Sequence, residues 1–577
     1  MKNRNRYLLY LFKVISTFLM IYNFTNIRNQ YLFHFLFLLL ICLFYYNIDF
    51  KKNYFTKNKK SFFIFSLLIS FSQVLGSIVY MYRFSKEISI LREIISFSFF
   101  INVIGLTFLI YSLLVKYIPK LLKIDVFCDN KKVSMIKLFA IFFLVIMLCW
   151  IPYFLTLYPG IMTADSISQF SSFVNGFNIV SDHHPVIHTL FIGCIYKFGF
   201  LIFHNVNIAT AFVSFVQMSI MASIFSYFCV WLYKHDISKK YIILSLLYFS
   251  LSPLHGYYAV TMWKDILFGG FFLLFVLNII DTDQVKYLGA KEILKFIILS
   301  LLVLFFRNNA LYVYIFCIPF FIYGFRDKLL KIIFCVCISL SFYFIVKGPV
   351  FNCFNIKKSS SSEYIAIPLQ QVGRMAFKYV NFTDEEVDAI NELIPIDVMA
   401  SSYNPMNVDF IKFNPLYNVE VFDSNKSKYL KLWFNLILEH PSIAIESYLN
   451  STLGYWYSGV EFWATGDTVD KNNMGIYSSS KAGKYVEKYV RRIKKYDVPI
   501  ISMQWSIGLC FILIVFSSFL VIIMNKKSFL LYYMPVFGVW LTMMVASPVF
   551  AEFRYVYCAY TCLPLLLLIP FFKHKNV

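Results

Sequence analysis

The sequence predicts an all-α polytopic membrane protein of about 14 transmembrane helices, with a small external domain inserted before the last three helices. Three observations predict it. Hydrophobic residues make up 59% of the 577 residues and aromatics 20%, while charged residues are held to 15% and mean hydropathy is +0.66; a soluble domain is far less apolar. Apolar runs recur at the length of about 20 residues that a helix needs to cross hydrocarbon, where a helix satisfies its own backbone hydrogen bonds. The lysines and arginines behind the net charge of +22 cluster in short loops between those runs, so they report topology and not a nucleic-acid partner. Most of the 12 cysteines lie inside apolar runs (Cys42, Cys149, Cys229, Cys317, Cys335, Cys337, Cys510) and no CxxC ligand set occurs. They read as small core residues.

Residues 1–134 form an N-terminal four-helix membrane region. Lys2, Arg4 and Arg6 precede an apolar run with no small-residue cleavage site, which is an uncleaved first span. The second run, 31–46, ends in Lys51, Lys52, Lys57, Lys59 and Lys60. The third covers 61–81, and the fourth, 94–115, ends in Lys116, Lys120, Lys123, Lys131 and Lys132. The excess of basic residues places both loops, and both chain termini, in the cytoplasm.

The fifth run, 135–157, emerges on the outer side and opens a membrane core over 135–346, whose external catalytic loop is 158–204. Residues 188–203, about 16 residues between polar stretches, are short for a crossing. They are read as re-entrant or surface-lying, because only then do Lys234, Lys239 and Lys240 and the later basic turns (Arg326, Lys328, Lys331; Lys526, Lys527; Lys573, Lys575) fall on the cytoplasmic side. Arg307, Asn308 and Asn309 interrupt a pair of half-length spans. Residues 347–499 alone have soluble character: the run Ser359–Ser362, the acidic group Asp384, Glu385, Glu386 and Asp388, and the turns at 404–405 and 414–415 predict the external domain. Within it, residues 429–457 make two amphipathic stretches broken at Pro441, either lying along the membrane interface or packed in the domain's own core. Residues 500–577 complete a C-terminal three-helix region.

The candidate chemistry gathers on the outer side. Residues 158–190, YPGIMTADSISQFSSFVNGFNIVSDHHPVIHTL, carry Asp165, Asp182, His183, His184 and His188 without one Lys or Arg. Ionisable groups at a membrane edge are costly to desolvate and mark functional sites, although each could also cap a helix in a solvated loop. Asp165, just after the Pro159-Gly160 turn, is placed to take a proton from an acceptor hydroxyl as a general base. Asp182 or His184 could cap the helix that Pro185 opens. Alternatively His184 and His188, four apart on one helical face, contact a diphosphate or hold a divalent metal with Asp182. Arg307 and Arg554 lie in or beside apolar segments, and a guanidinium recognises phosphate bidentately. Lys264 could do the same or simply pair with Asp265. Asn308 and Glu552, beside the two arginines, join them as substrate-binding candidates.

The phrases YPGIMTADS, DHHPVIHT, WKDILF, FRNNALY, LEHPSIAIESYL and EFRYVY, in that order over roughly residues 136–572, are similar to an uncharacterised bacterial multi-pass family grouped with the GT-C superfamily of integral membrane glycosyltransferases. The order of elements resembles GT-C enzymes too: an acidic first outer loop, a helix opening with His-Pro, further spans, then an external domain. The resemblance implies a multi-pass protein of the bacterial cytoplasmic membrane. It would transfer a sugar from a polyprenyl-phosphate donor to a glycan, lipid or protein acceptor outside the membrane, in one inverting displacement. Asp165 would be the base, and Arg307, Arg554, Lys264 and the His183/His184 pair would surround the carrier phosphate. Many GT-C enzymes have an adjacent Asp-Glu pair in this loop, whereas here Ser166 follows Asp165, so the resemblance leaves a divalent metal open. Two other functions also stay open. One is a lipid-linked saccharide flippase or transporter, for which internal repeats and broken helices would be expected; the other is a polysaccharide polymerase or ligase acting on a lipid-linked oligosaccharide.

Overall fold

The computed structural model describes residues 2–24, 31–51, 58–128, 133–174, 179, 181–358, 365–460, 462–493, 501–547 and 549–573. The serine run at 359–362 and Lys52, Lys57, Lys131, Lys132 and Lys575 lie outside the described residues. Among the described residues the chain is all-helical, with β pairing confined to isolated bridges.

Among the described residues eleven helices are long and apolar enough to cross a membrane, the architecture of a polytopic membrane protein, where the sequence suggested about 14. Part of the difference lies in short segments. The chain around Arg307 divides into Ala290–Phe306 and Ala310–Gly324, 17 and 15 residues long, and Ile507–Ile523 has 17. Each sits at or below the short end for a crossing. Val186–Phe203 departs in the other direction. Read from the sequence as re-entrant or surface-lying, it has the length and composition of a span. A tight turn with His204 at φ 51 folds it back on Val206–Lys234, where Phe198 and Phe203 both pack on Phe212.

Compactness divides the chain into two units that cut across its linear order. One comprises Met1–Asp125, Tyr364–Val460 and Ser547–Ala551; the other Val126–Glu363, Glu461–Ala546 and Glu552–Val577. The stretch 347–499, expected as one external domain, is therefore shared between them.

In the first unit, the helices Lys2–Phe24 and Phe97–Leu121 pack closely because Gly105 has no side chain: a β-carbon there would lie 2.3 Å from the Ser16 carbonyl oxygen. The Thr17 hydroxyl donates to the Gly105 carbonyl at 3.2 Å across the same contact. The later part of this unit is a cluster of short helices around Met375, Ile394, Ile411 and Leu436, all fully buried. The two amphipathic helices, Lys426–Glu439 and Pro441–Thr452, break at Pro441 as predicted and pack Leu436 and Ala444 into that core.

The second helix also carries Glu446, whose side chain is 1% exposed. Arg374 (3.0 Å), Lys378 (2.7 Å), the Ser89 hydroxyl (3.0 Å) and the Ile90 amide (2.8 Å) all donate to it. Burial works against the charge, yet Lys378 and Arg374 outweigh it and hold the Glu446 carboxyl below its ordinary range. A buried carboxylate is tolerated when it is paired and hydrogen-bonded in this way.

The second unit positions the candidate site. Met135–Thr156 ends before the Tyr158-Pro159-Gly160 turn, in which Gly160 takes φ +139, a backbone region that residues with a β-carbon rarely enter. The chain then runs extended. Ile161 bridges to Thr261, and Met162 bridges to Val469, before the helix Ala164–Val174 begins. This pins the start of that helix beside the segment leading into Lys264–Gln284.

Candidate functional site: a charged cluster around Asp165

Asp165 lies in the first turn of its helix, where the exposed amides favour a negative charge. Its neighbours fix its place: Ser166 donates to the Met262 carbonyl at 2.8 Å, and the Trp263 indole donates to the Thr163 hydroxyl at 2.8 Å. Trp263 is followed by Lys264, whose ammonium reaches Asp165 Oδ2 at 3.6 Å and His184 Nδ1 at 3.2 Å. Arg554 donates to the same Asp165 oxygen at 2.5 Å and sits 3.3 Å from Glu552 Oε1. Its guanidinium lies over the Trp263 ring at 5.3 Å and the Tyr555 ring at 5.1 Å, a cation–π setting.

A second pair lies beside the first. Arg307 Nε is 3.5 Å from Asp265 Oδ1, and a further guanidinium nitrogen donates to the Tyr555 carbonyl. Arg307 also faces the Tyr555 ring at 5.2 Å, so Tyr555 contacts both guanidinium groups. The Asp265 side chain is 1% exposed, and among the described residues neither of its oxygens receives a hydrogen bond. Asn308 donates to the Asp182 carbonyl at 2.8 Å, and Lys347 joins the Asp182 carboxylate at 2.9 Å and Asn308 Oδ1 at 3.0 Å.

The electrostatics follow from this packing. Burial by itself would raise the Asp165 carboxyl, but the Lys264 and Arg554 cations overcome it and hold the group well below the usual carboxylate range. Burial and the neighbouring Lys264 push His184 down to about 3, so its imidazole is neutral. Glu552 moves the opposite way: burial, aided by the charges of Asp265 and Asp165 and opposed by Arg554, lifts it to about 7. Two carboxyl groups on one guanidinium thus differ widely in proton affinity, a pattern typical of functional sites.

The structure brings Asp165, His184, Lys264, Asp265, Arg307, Glu552 and Arg554 into one neighbourhood, with the His183 ring packed on His184 at 4.7 Å and Asn308 behind the loop. Four expectations change. The stretch 158–190 lacks cations in sequence, yet Asp165 is surrounded by cations from distant segments. Lys264 pairs with Asp165 and not with Asp265. The helix after Pro185 begins at Val186 without a side-chain cap, so neither Asp182 nor His184 caps it. Finally, Asp182, His184 and His188 do not converge as metal ligands: no group of three or more His, Cys, Asp or Glu with that potential occurs among the described residues. The His188 ring is instead buried, with Nδ1 3.1 Å from the Gln169 amide.

Sequence reasoning passed over Trp263, Tyr555, Lys347 and Gln169. Trp263 and Tyr555 stand inside the quoted WKD and EFRY phrases, and an aromatic adjoining a membrane-edge cation was the available signal. Gln169 and Lys347 gave none.

An all-helical chain with eleven apolar helices of spanning length and a cluster of acids and cations where its loops converge is a polytopic membrane protein with a polar site. Residues 176–576 match the model of DUF6020, a family of unknown function. The match covers well over half of the chain, and the protein belongs to that family. No curated protein and no solved structure matches it. Lys264, Asp265, Arg307, Glu552 and Arg554 lie inside the matched region; Asp165 precedes it.

Proposed function

We propose that the protein is a GT-C-like glycosyltransferase that moves a sugar from a polyprenyl-phosphate carrier onto an acceptor hydroxyl on the extracytoplasmic side. The observation that carries this reading is the approach of two cations, Arg554 and Lys264, to the single carboxylate Asp165. An anionic carrier phosphate is a natural competitor for both cations, since guanidinium and ammonium groups bind phosphate strongly. As the phosphate draws them, Asp165 loses the charges that depress its proton affinity. Its strength as a base is thereby tied to donor binding.

The acceptor oxygen attacks the anomeric carbon, and its proton passes to Asp165. The bond from that carbon to the carrier phosphate breaks, its electron pair leaving with the polyprenyl phosphate, and the configuration inverts. No covalent enzyme intermediate is required. Arg554, Lys264 and Arg307 stabilise the charge growing on the departing phosphate, and the neutral His184 supplies a hydrogen bond rather than a fourth charge.

The test is sugar transfer by the purified full-length protein from a radiolabelled polyprenyl-phosphate sugar. Asp165→Asn is expected to lower the rate by roughly 10²–10⁴-fold at unchanged abundance and folding. A wild-type rate in that variant rejects the assignment. In vesicles, movement of the lipid-linked sugar across the bilayer without formation of a glycosidic bond would make the protein a transporter instead.

A further inference from the structure

A cavity of about 810 Å³ lies in the first unit, within the roughly 300–1,000 Å³ of ligand sites. Its lining comes from the first half of Lys2–Phe24, the end of the segment Leu32–Asp49, the start of Lys59–Tyr82 and the middle of Phe97–Leu121. The cavity thus runs from the ends of the second and third of these helices, which flank a basic loop, to the middle of the first and fourth. None of the lining residues falls in the region shared with the family.

The wall is divided by chemistry. At its base Lys13 is paired with both Asp49 oxygens at 3.0 Å, a buried and self-contained ion pair. At the rim, Lys59 and Lys60 are exposed and have no acidic partner among the described residues. Ser112, 1% exposed, lines the cavity, and its hydroxyl has no hydrogen-bond partner among the described residues. Phe63 and Ile64, 42% and 56% exposed, present apolar surface to the same space.

Unpaired cations at a membrane-edge rim, an orphaned hydroxyl within, and apolar walls are together the complement of an amphiphile with an anionic head. A soluble phosphate would leave the apolar walls wet, and a neutral lipid would leave the lysines unanswered. We propose that this groove holds an anionic glycerophospholipid, its phosphate at Lys59 and Lys60, an ester oxygen within reach of the Ser112 hydroxyl, and an acyl chain along Phe63 and Ile64. By the bias of the flanking basic loops this is the cytoplasmic leaflet, the leaflet in which anionic lipid attracts juxtamembrane lysines.

The experiment uses the full-length protein in detergent, reading retained lipid by native mass spectrometry and stability by thermal unfolding. The probes are phosphatidylglycerol, phosphatidylcholine and inorganic phosphate. Phosphatidylglycerol alone is expected to be retained and to raise Tm. Lys59→Ala with Lys60→Ala should weaken its retention by about 25-fold, from about fivefold for each cation at an anionic lipid surface. Lys120→Ala with Lys123→Ala, which removes charges from the same basic end but not from the groove, should leave retention unchanged. Ser112→Leu, which narrows the cavity at its wall and spares every cation, should also weaken lipid retention; should it fail to fold, the two lysine pairs decide the matter. Equal retention of phosphatidylcholine, equal stabilisation by inorganic phosphate, undiminished retention in the Lys59/Lys60 variant, or equal loss in the Lys120/Lys123 control would each overturn the proposal.

Discussion

Asp165 and Arg554 stand 389 positions apart in the chain and meet at 2.5 Å, with the same guanidinium 3.3 Å from Glu552. One arginine therefore serves two carboxyl groups, Asp165 31% exposed and Glu552 6% exposed. The first carboxyl is held ionised by Lys264 and Arg554 together, while burial lifts the second toward neutrality against the pull of the same arginine.

Removing that arginine should be costly. Arg554→Gln leaves Asp165 and Glu552 without their shared cation, and breaking a buried ion pair costs about 3–5 kcal/mol. Adding Asp165→Asn should recover part of the loss, so the double variant is expected to be less destabilised than the sum of the singles by about 1 kcal/mol or more. Unfolding of the detergent-solubilised protein measures this, and strict additivity would contradict the shared-cation geometry.

Glu552 should give stability a distinct pH dependence. Its folded value of about 7 lies above the ordinary 4.5, so its contribution is fully present below about pH 4.5 and is lost as the pH rises through 7. His184, lowered to about 3, contributes in the opposite sense: its share is present above pH 6.5 and is lost as the pH falls toward 3. Glu552→Gln, which cannot ionise, is expected to gain Tm relative to wild type as the pH is raised from 5 to 8. A difference in Tm that does not change over this range would refute the assignment.

In the other unit, Glu446→Gln removes the charge on which Arg374 and Lys378 converge. The loss expected is about 3–5 kcal/mol. Glu446→Gln combined with Arg374→Met should be milder than Glu446→Gln alone, because no fully buried guanidinium is then left uncompensated. Chemical unfolding of the three variants provides the comparison.

Gly160→Ala tests how the site is aimed. The φ of +139 and a β-carbon position 2.9 Å from the Val260 carbonyl oxygen both resist a side chain, at about 1–3 kcal/mol for the backbone strain alone. The turn would shift the extended segment 161–163 that seats Asp165. Lower stability is expected, together with slower sugar transfer if the proposed activity holds, and an unaltered Tm would count against the strain.

Some of this architecture was legible in the chain. The apolar runs predicted at 61–81, 94–115 and 135–157 became the helices Lys59–Tyr82, Phe97–Leu121 and Met135–Thr156, because a spanning segment is specified by its own length and composition. The break at Pro441 and the interruption at Arg307-Asn308-Asn309 were equally local, one from a residue unable to continue a hydrogen-bonded helix, the other from polar groups set between short apolar segments. Hydropathy was weakest near the length limit: Val186–Phe203 has a span's length and composition, but it was read as surface-lying to keep the basic turns on one side.

The sequence by itself determined the class of protein, the spans with clear apolar lengths, and the set of ionisable residues at their edges, since all of these depend on residues adjacent in the chain. Tertiary structure decided which cation meets which acid: Lys264 turns to Asp165 and leaves Asp265 to Arg307, His184 contacts a lysine and caps nothing, and Lys347 claims Asp182. The reason is physical. Coulombic pairing and desolvation act through a few ångströms of space whatever the separation along the chain, so only the packing of distant helices can assign the partners.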